Sequence, residues 1–153
     1  KERLQLLWDW MLVTYSSLHA GAENSAVFKE FGWWITCEKD LFEPAWLAKH
    51  VRQTLEITKG ELTWDLNLKK SLTCIANTAP ADTLEIVRLY MLEGVVNGSN
   101  YHGLPPHVDA EWIDALQILY DRHKTKDGTY KLIDDLIHHG GRAFWGLKKI
   151  VDK

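Results

Sequence analysis

Apolar residues recur three and four positions apart along nearly the whole chain, and this spacing limits the possible folds more than any other feature of the sequence. Such a pattern lines one face of an α-helix with apolar side chains. No segment alternates apolar and polar residues between turn signals, as a half-buried strand would, so the sequence predicts an all-α protein. Leu6, Trp10 and Val13 widen the stripe of the first helix beyond one face, and we expect that helix to be covered on both sides. The first helix is predicted at residues 3–18, with its main stripe formed by Leu4, Leu7, Trp8, Met11, Leu12 and Tyr15.

Residues that begin or end helices divide this pattern into about eight helices. Pro44 suits the first turn of the third helix, and Lys59 and Gly60 supply its cationic last turn and left-handed cap. Thr63 is the predicted N-cap of the fourth helix, and the fifth begins near Asp82. The other helices are predicted at about 24–36, from the cap at Asp109, after Asp127 and Gly128, and from Arg142 to Val151.

Successive helices joined by short turns pack antiparallel. Pairs stacked side by side form an α-solenoid of the HEAT or armadillo kind, and this is the predicted architecture, with about eight antiparallel helices. A compact helical bundle is the alternative. The length of 153 residues suits one domain, and the chain opens at Lys1 directly in a helical pattern. We interpret residues 1–153 as a single all-helical domain that belongs to a larger protein.

Charge and cysteine content limit the expected partners and location. The formal net charge of -3 provides no long-range attraction to phosphate backbones or anionic lipid, so neither nucleic acid nor a membrane is expected as a partner. Cys37 and Cys74 are too few for a disulfide framework, and both are predicted to be small buried residues of a cytoplasmic protein. Basic residues around Arg122 and Lys131 are interleaved with acidic ones, and a nucleic-acid-binding helical groove is an alternative function.

The sequence contains no catalytic motif. A glycine-rich phosphate loop, a nucleophile elbow and a His-Glu-x-x-His pair are all missing, so we expect neither enzymatic activity nor a small-molecule cofactor. The irregular segment 98–108 is the best candidate for a functional loop, and it contains Tyr101, His102 and His107. A small metal-dependent enzyme is an alternative interpretation, in which these two histidines and Asp109 bind a metal ion. A plain loop without a metal site is favoured.

Tryptophans fall on both sides of two predicted helices. Trp8 and Trp10 point to opposite sides of the first helix, and Trp33 and Trp34 do the same in the second. One member of each pair must face away from the local core. Large rigid aromatic side chains contribute much of the energy of protein–protein binding. The predicted contact residues, for a protein partner or for other domains of the same chain, are therefore Trp8, Trp10, Trp33, Trp34, Tyr101, His102 and His107.

Three short motifs are rich in aromatic residues or glycine: Phe-Gly-Trp-Trp at 31–34, Glu-Pro-Ala-Trp-Leu at 43–47, and Gly-Gly-Arg-Ala-Phe-Trp-Gly-Leu at 140–147. Over about residues 28–150 they resemble the C-terminal helical-repeat region of large bacterial multidomain proteins. Members of that group carry sirtuin-like NAD hydrolase or signal-transduction NTPase domains and are associated with defence against phage. The resemblance implies that this chain is a helical sensor or scaffold and that the chemistry lies in attached domains. The chain departs from the group in its shorter length and in the segment 98–108.

Overall fold

The computed structural model describes residues 2–17, 27–35, 42–63, 65–96, 104 and 108–152. These residues are helical or form turns and contain no β-strand, which confirms the predicted all-α class. The α-helices are α1 (Glu2–Ser17), α2 (Gly32–Ile35), α3 (Pro44–Thr58), α4 (Leu66–Thr78), α5 (Pro80–Arg88), α6 (Ala110–Tyr120), α7 (Lys126–His138) and α8 (Trp145–Val151). A π-helix, Leu89–Val96, follows α5 directly, and a 3₁₀ turn, Arg142–Phe144, precedes α8.

The ends of α3 follow from its sequence. Glu43 is the N-cap, and its carboxylate accepts hydrogen bonds from the backbone N–H groups of Ala45 and Trp46 at 3.2 and 2.8 Å. At the other end Lys59 adopts a left-handed conformation with φ of 53°, and Gly60 follows with φ of 83°. The N–H of Gly60 donates to the Leu55 carbonyl at 2.8 Å. The predicted left-handed end of this helix is confirmed.

Other predicted boundaries need correction. The N-cap position of α4 is Asp65 and not Thr63, whose hydroxyl instead donates to the Glu30 carboxylate at 3.0 Å. Pro80 starts α5 two residues before the predicted start, because its fixed φ suits a first helical turn. The predicted second helix is interrupted by a turn at 30–31 in its described part. Cys74 is exposed and not buried, whereas Cys37 lies outside the described residues.

The π-helix lies against the turn that ends α3. A Cβ atom added to Gly60 would lie 2.2 Å from the Leu89 carbonyl oxygen, and one added to Gly94 would lie 2.2 Å from the Gly60 carbonyl oxygen. Only glycine at both positions allows two backbones to approach this closely. The wider turns of this segment were not predicted, since its apolar residues continue the spacing of α5.

Contacts between helices follow two patterns. Consecutive helices from α3 to α8 pack against each other. Helix α1 packs on α3. From α2 onward helices two positions apart also pack: α3 with α5 and α5 with α7, and likewise α2 with α4, α4 with α6 and α6 with α8. One cluster of buried side chains runs through these contacts. Its largest fully buried members include Trp8, Phe31, Leu55, Leu72, Ile86, Trp112, Leu116, Ile133 and Phe144.

Candidate functional site

Helix α1 has apolar side chains on two opposite sides. Trp8 faces the core with 0% of its surface exposed, whereas Leu6, Trp10 and Val13 are 67%, 62% and 70% exposed. Because residues three and four positions apart share a helix face, the three exposed side chains form one row, here named the α1 ridge. The expectation that α1 is covered on both sides is wrong for the residues that the structure describes, since this row is open.

Trp8 holds α1 on the core. Its Nε1 donates a hydrogen bond to Oγ1 of Thr54 in α3 at 3.0 Å. Its ring stacks on Phe31 with centroids 4.6 Å apart and meets Phe42 and Trp46 edge-on at 5.9 and 5.6 Å. The prediction of Trp8 as a partner contact is therefore corrected: its ring is enclosed by the protein's own aromatic side chains. Its neighbour Trp10 is the member of this pair that faces outward.

His50 makes a polar link between α1 and α3. Its Nε2 lies 2.5 Å from Oδ1 of Asp9, and its Nδ1 lies 2.8 Å from the Trp46 carbonyl oxygen. Its ring also stacks on the Trp46 indole with centroids 3.7 Å apart. Both ring nitrogens face acceptor oxygens, so the imidazole is held from two sides, by α1 and by its own helix α3. This link and Trp8 together fix the rotation of α1 that turns the α1 ridge outward.

The outer side of α8 is a second exposed apolar surface. Leu147 and Val151 are buried, whereas Trp145 and Ile150 are 53% and 58% exposed. Gly146 lies between the two exposed residues, and a Cβ atom there would meet nothing within 4 Å. We name Trp145, Gly146 and Ile150 the α8 face. This surface was not predicted, although Leu147 and Val151, four residues apart in the sequence, mark the other side of α8 as the one that faces the core.

Polar contacts hold α8 in place. Nζ of Lys148 donates to Oδ1 of Asp134 at 2.5 Å and to the Tyr130 hydroxyl at 2.7 Å. These hydrogen bonds, first to Asp134 and then to Tyr130, raise the pKa of Lys148. The Tyr120 hydroxyl donates to the carbonyl of Val151 at 2.8 Å. The α8 face therefore sits on a helix attached to both α6 and α7.

An open pocket of about 280 Å³ lies beside the π-helix. Its lining includes the turn 60–63, Lys29 and Tyr90. The ammonium group of Lys29 pairs with the Glu61 carboxylate, and the Tyr90 hydroxyl donates to Oδ2 of Asp65 at 2.5 Å. Since these polar side chains already have partners within the protein, the pocket shows no polar group set aside for a ligand.

The Tyr90 hydrogen bond belongs to a network that joins the π-helix to the starts of α4 and α6. Nζ of Lys69 lies 2.7 Å from carboxylate oxygens of both Asp65 and Asp109, and the ring of Tyr90 stacks on Trp112 at 4.8 Å. Burial and then the hydrogen bond to Asp65 raise the pKa of Tyr90. Burial opposes ionisation of Asp65, but hydrogen bonds from Lys69 and Tyr90 outweigh it and lower the pKa of Asp65. Asp109, which the metal-enzyme alternative assigned as a metal ligand, is thus paired with Lys69.

The remaining predicted site residues are only partly described. The backbones of Trp33 and Trp34 lie in α2, but nothing is described of their side chains. Tyr101, His102 and His107 lie outside the described residues, so their roles stay predictions. Within the described ranges, no group of three or more His, Cys, Asp or Glu side chains could hold a metal ion.

Comparisons of the chain with models of protein families, with curated proteins and with solved structures found no match. Among the helices in the described part of the chain, none has the length and apolar character needed to cross a membrane. The candidate site is therefore defined by contacts and exposure within this protein, namely by the α1 ridge and the α8 face.

Proposed function

We propose that this chain is a HEAT- or armadillo-like helical-repeat module that acts as a scaffold or sensor, and that the α1 ridge contacts a protein partner or another domain of the same polypeptide. The observation that carries the proposal is the outward row of Leu6, Trp10 and Val13, directly opposite the side of α1 that Trp8 fixes to the core.

The packing order supports the repeat architecture. A helical repeat array stacks each unit on its neighbours only, so helices contact the next and the second-next helix along the chain. Both kinds of contact occur here among α2 to α8, with α3, α5 and α7 as one row and α2, α4, α6 and α8 as the other. A compact bundle, the alternative, would place all helices around one shared centre.

Deleting the last two helices separates these architectures. In a repeat array, a chain that ends at Arg122 loses α7 and α8 but keeps the contacts among α1 to α6. We expect it to remain helical and to unfold cooperatively at lower denaturant concentration, because terminal units contribute additively to stability. If circular dichroism and urea titration show that this fragment is unfolded, the result favours the compact bundle.

Surface area supports a contact role for the α1 ridge. From their exposed fractions and ordinary side-chain areas, Leu6, Trp10 and Val13 together expose about 400 Å² of apolar surface. The largest patches on monomeric proteins reach roughly this size and are often binding sites. Tryptophan is among the residues that contribute most to binding energy when a partner covers it.

The proposal includes the sensor role that the resemblance to bacterial defence proteins implies. In such an arrangement the helical module receives a protein trigger and passes the contact to attached domains, which carry the chemistry. Neither a catalytic residue nor a cofactor is assigned to this chain.

Photo-crosslinking from position 10 tests the contact. Full-length protein with p-benzoylphenylalanine in place of Trp10 is irradiated in the cells that produce it, and crosslinked peptides are identified by mass spectrometry. Leu66, 57% exposed on α4, is the matched control position. We expect one defined protein segment to be crosslinked from position 10 and lost when Leu6→Glu and Val13→Glu are added. Equal labelling from positions 10 and 66 would contradict the proposal.

A further inference from the structure

We draw no further inference here: the strongest candidate, the α8 face formed by Trp145, Gly146 and Ile150, is an exposed apolar surface patch, and nothing in the described part of the structure shows what covers it.

Discussion

Replacing Gly94 with alanine tests the close approach between the π-helix and the turn after α3. The new Cβ would lie 2.2 Å from the carbonyl oxygen of Gly60 and 2.6 Å from its carbonyl carbon. Both are backbone atoms, so no side-chain rotation relieves the overlap. Optimal separation between non-bonded heavy atoms is about 3.5 Å, and the two segments must therefore move apart by about 1 Å.

The magnitude follows from two opposing effects. Overpacking a well-filled interior costs about 1–3 kcal/mol, and a clash between backbones belongs at or above the upper end of that range. Alanine is a better helix former than glycine by about 1 kcal/mol, which offsets part of the loss. We expect Gly94→Ala to lower the free energy of unfolding by about 2–3 kcal/mol.

Gly146→Ala is the matched control, because both glycines lie inside helical segments and only Gly94 is crowded. The control should raise stability by about 0.5–1 kcal/mol through helix propensity alone. Urea titrations followed by far-ultraviolet circular dichroism, at low protein concentration, measure both changes. The reasoning is refuted if Gly94→Ala unfolds at the same urea concentration as the unmodified protein, or if both substitutions destabilise it alike.

Three other predictions concern the core, the polar network and the absence of chemistry. Trp8→Phe should cost about 2–3 kcal/mol, because the smaller ring leaves a cavity and cannot donate to Thr54; unchanged urea unfolding would contradict this. The lowered pKa of Asp65 means that its stabilising effect is complete above the unfolded pKa near 4 and is lost as the pH falls through the lower folded value. The stability deficit of Asp65→Asn should therefore shrink in thermal melts below about pH 4, and a constant deficit would contradict the assignment. Purified residues 1–153 should hydrolyse neither NAD nor nucleoside triphosphates, and turnover that copurifies with the chain would reject the scaffold proposal.

The helices were predictable where local signals decide them. Pro44 and the Lys59–Gly60 pair mark the ends of α3 in both sequence and structure. The spacing of Leu68 and Leu72 also marks the core side of α4, and both residues are buried. Cys74 follows Leu72 by two residues, which turns it by about 200° to the other side of the helix, so the same spacing explains its exposure.

The π-helix could not be predicted in this way. Its residues are apolar on most sides, so their periodicity does not distinguish turns of different width. The contact that requires a glycine at position 94 is made with Gly60, more than thirty residues away. A single sequence carries no local signal for such a pairing.

The candidate site was predictable in part. The widened stripe of the first helix identified Leu6, Trp10 and Val13, but the sequence did not decide which of Trp8 and Trp10 faces the core. That choice depends on the aromatic cluster that encloses Trp8 from α3 and from the segment before α2. The α8 face was not predicted, although the four-residue spacing of Leu147 and Val151 marks the opposite side of α8 as its core side.

The π-helix has a consequence for changes in chain length. A turn that closes after five residues contains one residue more than an α-helical turn needs. Losing Leu92 or Glu93 can be absorbed by narrowing that turn, whereas losing Gly94 removes the glycine that faces Gly60. Losing one residue from α4 instead rotates everything after it by about 100° and moves Leu72 or Ile75 from the core into water. The two segments therefore differ sharply in how well they tolerate a single-codon deletion.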